Sequence, residues 1–152
     1  MAAPRICLLG TTITYTRRLR MNFADTGAFL ALYHQRDQHN KEAVRLWPML
    51  GRPVFTSNHV IAELARLLAR RAGYRFAVDS IADIYTSPTF QVVASTRDDE
   101  IAALQWMRKY ADQSVSFTDC VSFAIMRRLK IRTAFTFDRH FRLAGFDVLG
   151  LK

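Results

Sequence analysis

The sequence has little of what marks secreted, disulfide-bonded or membrane-embedded proteins. Its 152 residues include two cysteines, Cys7 and Cys120, which are too few for a disulfide framework. The apolar run Ile6 to Leu9 is too short for a signal-peptide core, and no stretch approaches the roughly 20 apolar residues that a membrane helix needs. We therefore expect a cytoplasmic protein in a reducing setting, with no membrane partner.

Glycine is also scarce, with six residues, and the short motifs of several enzyme classes are missing. The sequence contains no glycine-rich phosphate loop, no Gly-x-Ser-x-Gly turn and no convincing Cys–His pair, which argues against P-loop nucleotidases, serine hydrolases and cysteine hydrolases. The four histidines, His34, His39, His59 and His140, have no zinc-type spacing. Each is more easily explained as a surface or packing residue than as a metal ligand.

The composition is that of one globular domain with a basic surface. Half of the residues are hydrophobic and 23% are charged. The net charge of +9 suits a polyanionic partner such as nucleic acid, but solubility or an acidic protein partner would explain it equally well. Residues 1–20 are basic and contain no acid. Their composition resembles that of a targeting segment, but a translation start placed upstream of the true one, Met21, explains them at least as well. We favour this second interpretation and take residues 21–152 as the folded domain.

The clearest structural pattern runs from Ser116 to Asp138. Ser116 and Asp119 form a Ser-x-x-acid helix start, the following residues are almost all apolar, and Ile131 to Phe137 reads as a buried strand. Asp37 is the predicted N-cap of the second helix. The alternation of strands and helices predicts an α/β fold with a mostly parallel sheet of about five strands, covered by helices on both faces. The remaining predicted strands are Met21–Ala24, Pro53–Thr56, Phe90–Ala94 and Phe146–Leu149.

Four acidic residues fall where the predicted elements would bring them together. Asp25 and Asp138 end strands, Asp119 lies in the first turn of a helix, and Glu63 lies on the apolar face of another. In an open parallel sheet, strand C-termini and helix N-termini share the edge where ligands bind. Carboxylates crowded there repel unless one protonates or a cation joins them, and oxygen ligands favour Mg²⁺ or Mn²⁺ over zinc. Such a metal site is the usual apparatus for phosphodiester hydrolysis.

Each acid also has an ordinary structural interpretation. Taken alone, Asp119 is more simply a capping residue than a ligand, and Asp25 and Asp138 could each cap a turn. Glu63 is harder to explain in this way, because an unpaired acid on an apolar face is costly. Its structural alternative is a salt bridge to an arginine of its own helix. The metal-site interpretation is favoured for the four acids together because all of them are predicted at one edge of the sheet.

Four segments of the chain carry a resemblance to a known family. They are Phe23-Ala-Asp25-Thr-Gly-Ala-Phe-Leu, Asn58-His-Val-Ile-Ala-Glu63-Leu, Ser116-Phe-Thr-Asp119-Cys-Val-Ser-Phe and Ala134-Phe-Thr-Phe-Asp138-Arg-His-Phe. Together they resemble the PIN domain, and more narrowly the VapC toxins of toxin–antitoxin pairs. The resemblance covers Met21 to the C-terminus and includes none of residues 1–20.

The resemblance implies a three-layer α/β/α sandwich and a metal-dependent endoribonuclease that cleaves RNA such as tRNA or rRNA. It implies Mg²⁺ or Mn²⁺ as the cofactor. It also implies a homodimer that is held inactive by a cognate, VapB-like antitoxin. These properties are expectations that come from the family and not from composition or spacing.

The resemblance also carries residue roles over to this chain. Thr118, in the family's Ser/Thr position before the third acid, could orient a ligand or a water molecule. Apart from the resemblance, Arg139 and His140 are candidates for contacting the substrate because they adjoin Asp138. Of the four acids, the first and third would be the primary metal ligands, and the others would complete the site directly or through water. The implied catalytic and metal-binding residues are Asp25, Glu63, Asp119 and Asp138.

Two other functional classes are compatible with the predicted fold. A PIN-like domain could serve as a non-catalytic module for RNA binding or protein interaction, although the intact set of four acids argues against this. An open α/β sheet could instead carry a single reactive aspartate, as in a receiver domain or a haloacid-type phosphatase. Against this, Asp25-Thr-Gly-Ala lacks the second aspartate that the phosphatase requires two residues further on, and no paired acids end the first strand.

Overall fold

The computed structural model describes residues 21–151, so the predicted extension at residues 1–20 lies outside the described part of the chain. Within this range, no helix has both the length and the hydropathy needed to cross a bilayer. The strands are β1 (Asn22–Ala24), β2 (Val54–Ser57), β3 (Phe90–Val93), β4 (Thr133–Phe135) and β5 (Asp147–Leu149). The α-helices are α1 (Thr26–Tyr33), α2 (Asn40–Leu46), α3 (Asn58–Ala72), α4 (Tyr74–Thr86), α5 (Arg97–Lys109), α6 (Phe117–Arg128) and α7 (Arg139–Leu143).

The five strands form one parallel sheet, which confirms the predicted fold class. Their order is β3-β2-β1-β4-β5. In the central strand, Phe23 lies opposite Phe55 of β2 and Ala134 of β4. The chain moves outward from β1 to β3 and then returns to β4 on the other side of β1. This reversal creates a crevice at the carboxyl ends of β1 and β4, where open α/β sheets bind ligands.

Helix α6 is buried on every side, as its lack of a polar face predicts. All residues from Cys120 to Met126 are buried, and the helix packs against α3 and α5. The ring of Phe123 contacts those of Phe141 and Phe146 at centroid distances of 4.9 and 5.7 Å. Because α6 is fixed by this packing, its first turn has a defined position at the edge of the sheet.

The predicted role of Asp37 as the N-cap of α2 is wrong. The helix begins at Asn40, and His39 occupies the N-cap position without a side-chain capping bond. Asp37 instead accepts a hydrogen bond from the His39 amide (2.9 Å) in the turn before the helix. The side chain of Asn40 donates to the carbonyl of Ala31 (2.7 Å), so α1 fixes the start of α2.

Candidate metal centre

Asp25 is fixed at the end of β1 by two hydrogen bonds. It is the N-cap of α1, and its Oδ1 accepts from the Ala28 amide (2.7 Å). Its Oδ2 accepts from the Thr136 hydroxyl (2.5 Å). The residue is 5% exposed. Burial raises the pKa of its carboxyl to about 7, the charges of Asp119 and Asp138 add to the rise, and the two hydrogen bonds oppose it.

Thr136 joins two of the acids and is a residue that the sequence analysis missed. It is fully buried, and its hydroxyl donates to Asp25 while its Oγ1 accepts from the Asp138 amide (2.9 Å). Alternate residues of an extended segment point to the same side, and Thr136 stands two positions before Asp138. The sequence does contain a signal for this residue, because Thr136 has the only hydroxyl in the apolar run Ala134 to Phe137.

Asp119 lies in the first turn of α6, and the predicted capping by Ser116 is confirmed. Ser116 Oγ accepts from the Asp119 amide (3.0 Å) and lies 2.7 Å from Asp119 Oδ2, to which its hydroxyl donates. Burial raises the pKa of the Asp119 carboxyl to about 6. The charges of Asp138 and Glu63 act in the same direction, and the bonds to Ser116 oppose them. Capping and ligand roles are compatible, because Ser116 engages one carboxylate oxygen.

Glu63 is tied to the end of β1 through a hydroxyl. Its Oε2 accepts from Oγ1 of Thr26 (2.9 Å), the first residue of α1 and the neighbour of Asp25. Between residues 21 and 151, Glu63 forms no salt bridge to an arginine of α3, which was its structural alternative. Thr26 therefore stabilises a carboxylate whose charge stays uncompensated. Like Thr136, Thr26 was not among the predicted site residues.

Asp138 and His140 occupy the start of α7. Asp138 Oδ1 accepts from the His140 amide (2.8 Å), and Nδ1 of the imidazole lies 2.9 Å from the same oxygen. Ligand atoms of Asp119, Asp138 and His140 all lie within 4.8 Å of one another. From the sequence, His140 is predicted to contact the substrate and not to bind a metal. The structure places its ring beside the acids, where an imidazole can orient Asp138 or join the donor set.

The other two candidate residues lie near the acids in sequence, but the structure links neither to them. Thr118 is half-buried, and its carbonyl accepts a hydrogen bond from Ser122 Oγ (2.9 Å) within α6. Arg139 is the exposed first residue of α7. In residues 21–151, no hydrogen bond or ion pair joins the side chain of either residue to the four acids. Their predicted roles remain predictions.

The donor set fits a divalent cation. None of the four acids pairs with a lysine or arginine of the described chain, and within it the His140 ring is the only basic side chain that an ion-pair distance joins to them. Burial, reinforced by the charges of the neighbouring acids, raises the pKa values of Asp25 and Asp119, so ionisation is disfavoured at this centre. A cation bound by the carboxylate oxygens would remove that penalty. The oxygen-rich set suits Mg²⁺ or Mn²⁺, and the histidine nitrogen is also acceptable to Mn²⁺ and zinc.

Comparison with known proteins identifies the same region as a family domain. The family model of the PIN domain matches residues 23–147. The 23S rRNA-specific endonuclease VapC20 of Mycobacterium tuberculosis is 40% identical to this chain over 126 residues. The match spans 83% of this chain and 95% of VapC20.

Solved structures show the same fold. The crystal structure of M. tuberculosis VapC20, described as a sarcin–ricin loop cleaving toxin, superposes with a TM-score of 0.78 at 39% identity, over 82% of this chain and 95% of that one. FitAcB from Neisseria gonorrhoeae gives a TM-score of 0.64 at 21% identity, covering 85% and 96% of the two chains. FitAB bound to an IR36 DNA fragment gives 0.62 at 20%, covering 84% and 93%. The last two similarities concern the fold alone. The chain therefore belongs to the PIN domain family.

Proposed function

We propose that this protein is a metal-dependent endoribonuclease that hydrolyses phosphodiester bonds in RNA, and that it is the toxin of a type II toxin–antitoxin pair. One observation carries the proposal. Asp119 and Asp138, with His140, have ligand atoms within 4.8 Å of one another, and the charges of these two acids also act on Asp25. The charge of Glu63 acts on Asp119, and none of the four acids has a lysine or arginine partner in residues 21–151. Such a group destabilises the ion-free fold, so its presence has a functional explanation and not a structural one. The acids are Asp25, Glu63, Asp119 and Asp138.

The proposed cofactor is Mg²⁺ or Mn²⁺. Asp25 and Asp119 would be its primary ligands, and Glu63 and Asp138 would complete the site directly or through water. When bound, the ion would supply the Lewis acidity that generates a nucleophile from water and stabilises the leaving oxygen of a phosphodiester. The oxygen-rich donor set supports this choice of ion.

The chain's own contribution is to hold these ligands in a fixed geometry. Thr136 restrains Asp25 and, through its second hydrogen bond, the backbone of Asp138. Ser116 holds Asp119 at the start of α6, whose residues from Cys120 to Met126 are buried. Nδ1 of His140 lies 2.9 Å from Asp138 Oδ1, and neither ring nitrogen has a hydrogen-bond partner within residues 21–151, so the imidazole is free to join the donor set. Prearranged ligands do not have to be reorganised during the reaction, which is the main requirement of phosphoryl-transfer sites.

The proposed substrate is ribosomal RNA, cleaved in a single-stranded loop. The name of VapC20 states 23S rRNA as that protein's substrate, and the two chains match over 95% of its length. The net charge of +9 favours association with a polyanion. Unpaired loops expose the bases and backbone that ribonucleases must reach.

We also propose that the protein works in the cytoplasm as a homodimer controlled by an antitoxin. The exposed face of α4 supports a protein interface, because Tyr74, Val78 and Tyr85 are 78%, 50% and 59% exposed and lie on one side of the helix. Light scattering on the purified protein should give about twice the chain mass of 17.5 kDa. A monomer at micromolar concentration would contradict the dimer.

The test of the nuclease is cleavage of purified ribosomal RNA with Mg²⁺, with Mn²⁺ and with chelator, beside the Asp119→Asn variant. We expect discrete fragments that require the metal and disappear in the variant. Asp112→Asn, at an exposed position outside the site, is the control and should cleave normally. If RNA stays intact under all conditions while the protein still binds it, the domain is a binding module and the proposal is wrong.

A further inference from the structure

A basic cleft lies at the edge of the sheet opposite the acids. It has a volume of about 290 Å³, and its charged lining residues are Arg127, Lys130, Arg132 and Asp147. Arg132 directly precedes β4 and Asp147 begins β5, so the cleft lies at the amino ends of these strands, whereas the acids lie at the carboxyl ends. Helix α6 spans the distance between the two sites. At 1.5 Å per residue, the backbone from Asp119 to Lys130 advances roughly 15 Å.

The cations of this cleft have no acidic partners in the described part of the chain. Arg127, Lys130 and Arg132 form no ion pair between residues 21 and 151, and all three are exposed. The neighbouring Arg128 differs, because its guanidinium lies 2.8 Å from the buried carboxylate of Asp99. Arg128 thus has a structural ion pair, and the three cations of the cleft have none in the described residues.

Arg127 is held in place with most of its donors unused. Its Nη2 donates to the carbonyl of Ala144 (3.1 Å), and its guanidinium lies 4.8 Å from the ring centroid of Phe146. Gly145 has a φ of +87°, and a Cβ at this position would lie 3.3 Å from Nη2 of Arg127. The glycine therefore leaves space for the guanidinium. A guanidinium has five N–H donors, so Arg127 can still bind an oxygen ligand through two of them.

Lys130 occupies a backbone position that favours glycine. Its φ is +56°, and it is the first residue beyond the C-cap of α6. Its amide donates to the carbonyl of Arg127 (3.1 Å), and the Ile131 amide donates to that of Met126 (2.8 Å). Backbone amides therefore already satisfy these terminal carbonyls, and the lysine side chain is not needed to cap them. Its ammonium group instead adds positive charge to the cleft.

We infer that this cleft is a second phosphate-binding site, which holds the ribose-phosphate backbone of RNA outside the segment that is cleaved. Arginine presents paired donors that match phosphate oxygens, and lysine adds a mobile point charge. Three cations against one acid give the net positive charge that a phosphodiester requires. The choice of RNA rests on the proposed nuclease function. Free inorganic phosphate has the same chemistry and is separated from RNA in the test.

Lys130→Gly is the decisive variant, because it removes the charge while relieving the backbone. Asp119→Asn protein in chelator, which we expect not to cleave, should be titrated into a labelled RNA stem–loop at several salt concentrations. We expect the melting temperature of the Lys130→Gly form to be no lower than that of its parent. Its RNA affinity should be about tenfold weaker, because the substitution removes one charge-assisted hydrogen bond. The slope of log affinity against log salt should shrink by about 1. Lys41→Ala, an exposed lysine of α2, should change affinity less than about twofold.

Inorganic phosphate, followed by amide NMR shifts at Lys130 and Gly145, separates the possible ligands. If Lys130→Gly binds RNA as tightly as its parent while phosphate still shifts these amides in the parent, the cleft is a site for free phosphate. That result would overturn the assignment to RNA. Unchanged RNA affinity without phosphate shifts would overturn the site altogether. RNA binding that depends on Lys130, in a wild-type protein that cleaves no RNA, would support the cleft and contradict only the nuclease.

Discussion

Replacing Asp25 with asparagine should stabilise the ion-free protein, and the gain should grow with pH. Burial raises the pKa of this carboxyl from 3.8 to about 7. Between these values the native state binds more protons than the unfolded chain, so stability falls as pH rises through this window and levels off above about pH 7. The raised pKa thus lowers the unfolding free energy, relative to its value at low pH, by roughly 4 kcal/mol at pH 8 and by roughly 1.7 kcal/mol at pH 5. Asparagine has no such penalty.

The prediction is most specific for the change in stabilisation by Asp25→Asn between pH 5 and pH 8. Asparagine can still accept the Ala28 amide but no longer accepts the Thr136 hydroxyl as a carboxylate does. That loss should subtract about 1 kcal/mol at both pH values. The stabilisation by Asp25→Asn should therefore increase by about 2 to 3 kcal/mol from pH 5 to pH 8, because the loss of the hydrogen bond is the same at both pH values and cancels in the difference.

Urea unfolding with chelator at pH 5 and pH 8 measures this increase directly. The control is Asp112→Asn, which lies at an exposed position and should change stability by less than about 0.5 kcal/mol at both pH values. If Asp25→Asn changed stability by the same amount at both pH values, the raised pKa of the Asp25 carboxyl, which burial and the nearby acids cause, would be refuted. A destabilised variant at pH 8 would refute it more strongly.

Three further predictions concern the same centre. Thr136→Val removes the hydroxyl that bonds to both Asp25 and the Asp138 amide, so we expect the unfolding free energy to fall by about 1 to 3 kcal/mol. We also expect kcat to fall by a larger factor than KM changes, and a normal kcat would contradict a positioning role for Thr136. Glu63→Gln keeps an oxygen that can accept from Thr26, so circular dichroism melting should be unchanged while RNA cleavage is lost, and full activity would exclude Glu63 from the centre. Mg²⁺ should raise the melting temperature of the wild type more at pH 8 than at pH 5, because carboxylates must be deprotonated to bind the ion. An equal rise at the two pH values would contradict ligation by carboxylates.

The fold was predictable because its signals are local and strong. The helix that begins at Ser116 follows from a capping pair and an uninterrupted apolar sequence, and the strands around it follow from short β-prone runs. The position of Asp119 in the first turn is then a matter of counting residues. The prediction for Asp37 failed because its carboxylate bonds within the preceding turn, while Asn40 is fixed by a carbonyl nine residues earlier.

The support around the acids could not be predicted in the same way. Thr136 contacts Asp25 across 111 residues of sequence, and Thr26 contacts Glu63 across 37. Such pairs depend on strand order and helix rotation, which no local pattern specifies. His140 was undervalued because zinc-type spacing was the criterion, whereas the structure brings it to the acids through the turn that Asp138 caps.

Calorimetric titration of Mn²⁺ into the wild-type protein and into Asp119→Asn measures whether these acids jointly bind a divalent cation. The pKa values of about 7 for Asp25 and about 6 for Asp119 imply that binding at pH 6.5 releases about one proton, which buffers of different ionisation enthalpy report. We expect saturable binding with this proton release in the wild type, much less release at pH 8, and at least tenfold weaker binding in the variant. Mn²⁺ binding of equal strength in both proteins, or with no proton release at pH 6.5, would contradict the account.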